Sequence, residues 1–528
     1  FRWIVPGLAS RSLVVVAMEF SVRTRCGAAV SQQGDLKGLS VGTVDHFGKV
    51  VAVSGDTLVV GSPGEDSTLP GINGGGGHQS GAVFVFVRDG GGWRLQAHLK
   101  ASNSGASDEF GWSVAISGDT LVVGAHDEDG SNDSLGASGA AYVFVREGTT
   151  WSEQAYLKAS NAEVSDRFGY AVAVSGETVV VTSRGESSDA TGVNGDEANN
   201  NAQASGAAYV FVRDGTAWSQ QAYLKSSRNQ AGQQFGVSVG VSGDSVVVGA
   251  YGEDGYTGAV YVFVRDGTTW LQQARLRSSN PGQLDQFGAA LVIAGDTLVV
   301  GSIVQDTYLT RREADPGHVR GFDARTGEMK WIFHTIPQEG ELGVDTWEDD
   351  SWRYSGHTNV WGTLAVDDEL GLVYLPTGTP TNDYYGGMRR GDNLFAESIV
   401  AVDIETGERV WHFQAVHHGL WDYDFPTAGN LLDITVDGRV IKAIAQTSKQ
   451  AFLYVLDRET GEPVWPIEER PVPQGDVPGE GYSPTQPFPT NPAAFDPQGV
   501  TEDDLLDFPP PPAARAPPIL PAAPPPRR

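Results

Sequence analysis

The stretch EFGWSVAISGDTLVVGA, residues 109–125, decides the fold of this chain, because variants of it recur along the sequence. The phenylalanine of its Phe-Gly pair stands at five positions: 47, 110, 168, 235 and 287. Each copy is followed by a run similar to GAAYVFVR and then, in four of the five, by a Trp-led run such as WSEQAYLK. Apolar residues alternate within these runs, and a repeat of this length predicts one four-stranded propeller blade.

The short motifs inside the repeat have structural interpretations. The Ser-Gly-Asp or Ser-Gly-Glu tripeptide predicts a tight hairpin turn between the first two strands. We interpret the Phe-Gly pair as a wedge, in which the aromatic ring fills the space between blades and glycine permits close backbone approach. A single blade cannot bury both of its faces, so the repeats are expected to stack around an axis.

The repeats at residues 41–302 resemble FG-GAP repeats, the blades of integrin-like propellers. That resemblance implies calcium loops of the form D-x-D-x-D-G, whereas the loops here are acidic but lack the full alternating series. Asp127, Asp129 and Asp133 are the best candidates, since calcium prefers several carboxylate and carbonyl oxygens on one tight loop. A solvated acidic turn is the alternative.

A second repeat begins after residue 303. It occurs three times, as VRGFDARTGEMKW at 319–331, IVAVDIETGERVW at 399–411 and LYVLDRETGEPVW at 453–465. Each copy predicts two strands joined by an Asp-x-x-Thr-Gly turn, with the aspartate as cap and glycine at positive φ. The Trp that ends each copy is predicted to dock on the next blade; these residues are Trp331, Trp411 and Trp465.

The junction of the two repeat types predicts a hybrid blade. ALVIAGDTLVVGS supplies two strands of the first type, and GHVRGFDA and EMKWIFHT supply two of the second. Counting units gives an all-β propeller of about seven four-stranded antiparallel blades, either one composite ring or two partial ones. We divide the chain into 1–40 (uncertain), 41–302 (FG-GAP blades), 303–508 (second-type blades) and 509–528, an irregular Pro-rich tail.

Composition excludes some classes of function. The formal charge of -30 and pI near 4.6 disfavour a nucleic-acid partner or an anionic membrane surface. The single cysteine, Cys26, allows neither an intrachain disulfide nor a cysteine-based metal cluster. No run of 18 apolar residues occurs, so no transmembrane helix is predicted.

The second part resembles the quinoprotein dehydrogenases that use pyrroloquinoline quinone (PQQ), nearest the membrane-type glucose dehydrogenases. The resemblance rests on the three Trp repeats together with four further motifs in order: ELGVDTWEDDSWRYSG, NVWGTLAVDDELGLVYLPTGT, HFQAVHHGLWDYDFP and AQTSKQAFLYVLDRETG. It implies oxidation of a sugar or alcohol, with PQQ as hydride acceptor and a calcium or magnesium ion beside it.

The resemblance also implies site residues. Asp422 matches the general base, with Asp424 in reserve, because a carboxylate can take a proton from a substrate hydroxyl. Lys449, 27 positions after Asp422, matches the cation that stabilises the reduced quinone oxygen. Trp361 matches the aromatic floor under the cofactor. Without the resemblance, Asp422 and Asp424 would be interpreted as part of a polar turn. Lys449 would be a lysine at the end of a strand, and Trp361 a core residue.

The metal ligands are less well marked by the sequence. Thr381 and Asn382, in PTGTPTNDYYGG, fall near a family ligand position, and oxygen ligands suit the ion. His417 and His418 are adjacent, cannot easily share one metal and are interpreted as supporting or packing residues. FG-GAP blades replace the front half of the family's ring, so we expect weakened cofactor binding and doubtful activity.

Three hypotheses follow. The first is a partial quinoprotein oxidoreductase that passes electrons from a small sugar or alcohol to a membrane quinone or cytochrome. The second is a secreted binding or adhesion propeller without catalysis. The third is a fusion of two genes. Both parent families imply a periplasmic or extracellular location, although the first 20 residues contain no clear signal peptide.

Overall fold

A computed structural model describes residues 45–66, 78–88, 93–130, 135–279, 281–282, 284–304 and 312–495. The predictions for residues 1–40, for Asp133 and for the tail at 509–528 lie outside these residues. Within them the chain forms a seven-bladed β-propeller of antiparallel sheets, which confirms the predicted fold class.

The first four blades are four-stranded meanders in chain order. Blade 1 contains β1 Val50–Ser54, β2 Thr57–Ser62, β3 Ala82–Arg88 and β4 Trp93–Leu99. Blade 2 contains β5 Ser113–Ser117, β6 Thr120–Ala125, β7 Ala140–Glu147 and β8 Thr150–Leu157. Blade 3 contains β9 Phe168–Ser175, β10 Thr178–Ser183, β11 Ala207–Asp214 and β12 Ala217–Leu224. Blade 4 contains β13 Phe235–Ser242, β14 Ser245–Ala250, β15 Ala259–Asp266 and β16 Thr269–Leu276, with one helical turn, α1 Glu253–Tyr256, before β15.

The remaining blades carry the second repeat. Blade 5 contains β17 Leu291–Ala294, β18 Thr297–Val300, β19 Val319–Asp323 and β20 Met329–Phe333. Two 3₁₀ segments follow, Val344–Thr346 and Glu348–Arg353. Blade 6 contains β21 Ala365–Asp367, β22 Leu372–Pro376, β23 Ser398–Asp403 and β24 Arg409–Gln414. Blade 7 contains β25 Asn430–Val436, β26 Arg439–Thr447 and β27 Leu453–Asp457, and a bridge from Leu456 to Pro463 marks its outer edge. A separate hairpin is formed by β28 Ile467–Pro471 and β29 Thr485–Pro489.

The Phe-Gly pair joins neighbouring blades, as predicted. Phe110 of blade 2 forms a parallel bridge with Gly81 of blade 1, and its ring packs edge-on against Tyr142. A Cβ atom at Gly81 would lie 2.1 Å from the Phe110 carbonyl oxygen. Only glycine tolerates that approach together with a φ of +81°.

In blades 1–4 a buried glutamate in the loop after the second strand pairs with a lysine or arginine at the end of the outer strand. In blade 3, Lys225 Nζ lies 2.6 Å from Glu186 Oε2, and both side chains are 1% exposed. Lys158 pairs with Glu128 in blade 2 at 2.7 Å. Blades 1 and 4 use the pairs Lys100–Glu65 and Arg275–Glu253. One acid of each acidic loop therefore holds the outer strand.

The turns of the second repeat are confirmed. The Asp323, Asp403 and Asp457 side chains each accept two backbone N–H groups, and Gly327, Gly407 and Gly461 have φ of 70–76°. The indoles of Trp331 and Trp411 donate to carbonyls of the next blade. The docking predicted for Trp465 is wrong: its ring packs within blade 7, because blade 1, which comes next, has no Asp-x-x-Thr-Gly turn.

The hybrid blade and the ring are both observed. Strands β17 to β20 form one sheet, although the chain changes repeat type between β18 and β19. Arg146 of blade 2 donates to Thr57 of blade 1, and Arg265 of blade 4 donates to Thr178 of blade 3. The equivalent Arg88 of blade 1 donates to the Asp433 carbonyl of blade 7 at 3.4 Å. The last blade therefore meets the first, in one composite ring.

Candidate active site

The predicted residues of the second part lie at one end of blades 6 and 7. Trp361 precedes the inner strand β21, and Thr381 follows β22. Asp422 precedes the inner strand β25, and Lys449 follows β26. Strands alternate in direction within a meander, so the start of the first strand and the end of the second face the same side of the ring. The fold thus brings these distant segments together.

The ammonium group of Lys449 lies at the centre of this cluster. Its Nζ atom is 2.9 Å from Asp422 Oδ1 and 2.9 Å from Asp424 Oδ2. It also lies 5.4 Å from the centre of the Trp361 ring. Two carboxylates and an aromatic face therefore surround one cation.

Asp424 is the buried aspartate of this cluster, and several hydrogen bonds fix its position. It is 4% exposed, and its Oδ2 accepts a hydrogen bond from Trp361 Nε1 at 3.1 Å. Its Oδ1 accepts from the Thr379 backbone N–H at 2.7 Å and from the Thr379 hydroxyl at 3.1 Å. A Cβ atom at Gly378 would lie 2.8 Å from the same oxygen, so glycine leaves room for this carboxylate.

The two aspartates are charged differently. Burial raises the pKa of Asp422 to about 7, assisted by repulsion from Asp424 and opposed by Lys449. Burial would also raise the pKa of Asp424, but Lys449 and the hydrogen bonds outweigh it and the net pKa is lowered. Asp424 therefore stays ionised, while Asp422 can exchange a proton near neutral pH.

Glu397 was missed by the sequence analysis. Its side chain is fully buried; Oε1 lies 2.9 Å from the Thr379 hydroxyl oxygen and accepts a hydrogen bond from the Tyr423 N–H at 3.1 Å. Burial, and next the charge of Asp424, raise the pKa of Glu397 to about 8. The signal available in the sequence was a single acid at the start of an apolar strand, FAESIVAVD.

The two metal-ligand candidates lie beside this cluster. Thr381 is 5% exposed, and its Oγ1 atom has no hydrogen-bond partner among the described residues. The backbone carbonyl of Asn382 accepts a hydrogen bond from Arg389 at 2.9 Å. The role of both as ligands stays a prediction.

The adjacent histidines point to different partners. His418 Nδ1 donates to the Gly391 carbonyl at 2.8 Å, and its Nε2 lies 3.4 Å from Glu480. His417 Nε2 lies 3.2 Å from Glu469, in the β28 hairpin. Both therefore brace loops, as the sequence analysis interpreted them.

The candidate calcium loop is described only in part. Asp129 Oδ1 accepts the Ala137 N–H at 2.7 Å, and Asp127 Oδ1 lies 3.5 Å from Arg167 Nε. Asp133 is outside the described residues. The calcium site therefore stays a prediction.

Comparison with known families supplies the identification. A model of the "Glucose/ethanol/alcohol dehydrogenase, beta-propeller domain" family matches residues 252–517, half of the chain. The chain belongs to this PQQ dehydrogenase family. FG-GAP repeats match residues 27–86, 93–144, 151–211 and 218–263. The PQQ dehydrogenase match therefore begins within blade 4 and includes the whole hybrid blade.

Individual relatives of the PQQ dehydrogenase part are similar at moderate identity. The quinoprotein glucose dehydrogenase of Escherichia coli (strain K12) is 38% identical over 218 residues, which are 41% of this chain and 26% of the relative. The glycerol dehydrogenase large subunit of Gluconobacter thailandicus is 36% identical over 234 residues, 44% of this chain and 31% of the relative. A solved europium-containing methanol dehydrogenase superposes with a TM-score of 0.42 at 19% identity, covering 56% of this chain and 50% of that one.

This PQQ dehydrogenase chain thus spans less than a third of the length of these two curated relatives. Among the described residues, no helix is both long and apolar enough to cross a membrane.

The residues present fit part of a PQQ site. A flat quinone requires an aromatic face and a cation at its edge, and the Trp361 ring and the Lys449 ammonium group, 5.4 Å apart, have that chemistry. A metal ion requires oxygen donors, and the buried Thr381 hydroxyl, which has no hydrogen-bond partner in the described part of the chain, has the chemistry of such a donor.

Proposed function

We propose that this chain is a quinoprotein oxidoreductase that oxidises a sugar or alcohol hydroxyl. The observation that carries the proposal is the cluster of Asp422, Asp424 and Lys449 beside the Trp361 ring. PQQ, when bound, accepts the hydride, and a calcium or magnesium ion polarises its carbonyl. Trp361 would form the floor of the cofactor site, with Thr381 and Asn382 as candidate ligands of the ion.

Side chains of the protein would accept the substrate's proton and stabilise the charge on the quinone. Asp422 has a pKa of about 7 and would take the proton of the substrate hydroxyl. Asp424 would stay ionised and hold Lys449, whose positive charge would stabilise a negative quinone oxygen. This division of roles requires both carboxylates.

The proposed cofactor site is surrounded by blades of both repeat types. We place their boundary near residues 302–303, within the hybrid blade, so the front of the ring comes from FG-GAP blades. Cofactor binding would then be weaker than in a complete quinoprotein ring, because contacts from several blades are replaced. A membrane quinone or cytochrome would accept the electrons, in the periplasm or outside the cell.

Reconstitution tests the proposal. The purified full chain would be mixed with PQQ and calcium or magnesium, desalted, and examined for cofactor absorbance and for dye reduction with glucose, glycerol and simple alcohols. We expect cofactor to be retained and substrate to be oxidised. Asp422→Asn should abolish turnover while keeping the cofactor, and Asp437→Asn, in an exposed hairpin turn of the same blade, should change neither.

A noncatalytic binding propeller is the second candidate function. It is favoured by the closure of the ring through FG-GAP blades, since the dehydrogenase-like blades would then serve to complete a scaffold. Calorimetry separates the two: calcium binding that requires Asp129, with no retention of PQQ, would support the binding propeller and overturn the oxidoreductase.

A further inference from the structure

A second cluster of metal-ligating side chains lies in blade 2, outside the Lys449 cluster. Glu109 directly precedes the Phe110 wedge, and His126 and Asp127 directly follow β6. His126 Nδ1 is 3.6 Å from Glu109 Oε2 and 3.8 Å from Asp127 Oδ1. One ligand atom from each residue lies within 4.8 Å of the other two.

His126 is buried, and its Nδ1 atom faces the two carboxylates of this cluster. Its side chain is only 5% exposed, and its ring stacks on Trp112 with centres 3.9 Å apart. Its Nδ1 atom and the Oδ1 atom of Asp127 are both buried and make no hydrogen bond to the described residues. A buried nitrogen without a hydrogen-bond partner among the described residues, as at His126 Nδ1, costs free energy and requires an explanation.

The distances suit a shared ion better than a hydrogen bond. Separations of 3.6 and 3.8 Å exceed hydrogen-bonding distance. Two ligands bound tetrahedrally to one zinc ion, each at about 2.1 Å, lie about 3.4 Å apart. Small side-chain rotations would bring the three atoms to that geometry.

The repeat itself indicates that these residues are not required by the blade. The position of Asp127 is glycine in the other FG-GAP blades: Gly64, Gly185 and Gly252. The position of Glu109 is taken by His46, Arg167 and Gln234, and that of His126 by Pro63, Arg184 and Tyr251. All three ligand types therefore coincide only in blade 2, where an aspartate replaces a glycine.

Neighbouring cations provide the competing explanation, an ion-pair network. Arg167 Nε lies 3.5 Å from Asp127 Oδ1, and Lys49 Nζ lies 3.1 Å from the centre of the Trp112 ring. Neither cation makes a hydrogen bond to His126 Nδ1, so within the described residues an ion-pair network leaves that nitrogen unsatisfied.

We propose that Glu109, His126 and Asp127 bind a divalent first-row transition-metal ion. One imidazole nitrogen with two carboxylates selects zinc and its neighbours over calcium or magnesium, which require a shell of oxygens. This site is separate from any ion beside the quinone, since it is built by blade 2 rather than by blades 6 and 7. It is also separate from the predicted calcium loop, because it does not use Asp129.

Zinc titration of the metal-free full chain, followed by calorimetry, tests the proposal. We expect one zinc ion per chain and a loss of at least about tenfold in affinity in Asp127→Gly. This variant restores the glycine of the other three repeats, so the blade should fold. His126→Gln should lose affinity equally, and Asp129→Asn is the matched control that should retain it.

Cobalt provides a second readout that does not depend on heat. Bound Co²⁺ should quench the fluorescence of Trp112, which stacks on His126, and the quenching should vanish in Trp112→Phe. Zinc affinity in Asp127→Gly and His126→Gln equal to that of the unsubstituted chain would overturn the proposal. Absence of zinc binding, or binding of calcium alone with loss in Asp129→Asn, would overturn it as well.

Discussion

At the residue scale, two aspartates one residue apart have opposite properties because of what surrounds them. Asp424 is buried and accepts hydrogen bonds from Lys449, Trp361 and Thr379. Asp422 is more exposed, and it contacts Lys449 at 2.9 Å and the Asp424 carboxylate. One carboxylate is therefore fixed as an anion, and the other is available for proton transfer.

The pH dependence of substrate oxidation follows from Asp422. Since its pKa is about 7 in the folded chain, the fraction of ionised base rises as pH increases through 7. We expect the single-turnover rate of the PQQ-loaded chain to rise about tenfold per pH unit below that value and then level. Stopped-flow absorbance of the cofactor between pH 5 and 9 measures it, and a flat profile would remove Asp422 as the base.

Folding stability should depend on pH through Glu397. Its folded pKa of about 8 is above the ordinary 4.5, so the folded chain keeps a proton that the unfolded chain has lost between these pH values. Stability therefore falls as pH rises through this window. Glu397→Gln should reduce the fall between pH 5 and 8 by about 1–3 kcal/mol, judged from urea unfolding.

The matched control for this prediction is Glu408→Gln, which changes an exposed glutamate in the turn after β23. An unchanged pH slope in Glu397→Gln, or an equal change in Glu408→Gln, would contradict the assignment.

The family resemblance singled out Asp422 and Lys449 by their spacing of 27 residues, but their direct contact is visible only in the structure. Sequence alone did not predict Glu397, whose importance comes from complete burial in a tertiary setting. The proximity of Glu109 and His126 was not predicted either. Sixteen residues that include a hairpin separate them, so only the fold defines their distance.

At the element scale, the glycines that join blades differ from those in surface hairpins. A Cβ atom at Gly139 would lie 2.0 Å from the Phe168 carbonyl oxygen. A Cβ atom at Gly148 would have no neighbouring atom within 4 Å. Both have positive φ. Gly139→Ala should therefore destabilise by several kcal/mol, and Gly148→Ala by about 1 kcal/mol, the cost of the backbone conformation alone. Equal losses of melting temperature would contradict this reason.

Removing one partner of a buried ion pair should lower the free energy of unfolding more than replacing both partners with neutral side chains. Lys225→Met would leave the Glu186 carboxylate buried without its cation, which costs about 3–5 kcal/mol. Adding Glu186→Gln should recover much of this loss, because Gln keeps an acceptor for the Tyr223 hydroxyl. Thermal unfolding of the single and double variants checks the prediction, and a double variant less stable than the single would refute it.

Elements were predictable where local chemistry decides them. Asp-x-x-Thr-Gly turns and Phe-Gly wedges need only neighbouring residues or an identical repeat, so both were predicted correctly. Docking of Trp465 failed, because it depends on which blade follows, and ring closure places blade 1 there.

At the scale of the whole molecule, closure of the ring makes the two repeat types mutually dependent. Blade 1 meets blade 7 through Arg88 and Asp433, and the hybrid blade joins the halves at the other side. We expect the full chain to unfold in a single calorimetric transition, while separate fragments 45–302 and 303–495 aggregate through exposed sheet edges. Two resolved transitions in the full chain would indicate independent halves.

The hybrid sheet of β17 to β20 has a consequence for how such proteins can be assembled. Val299 of one repeat type pairs with Gly321 of the other in an unbroken antiparallel register. The exchangeable unit is therefore a two-strand hairpin rather than a complete blade. Recombination at the connection between the second and third strands offers a general splice point, at which blades from unrelated propellers could be grafted to make rings of mixed origin.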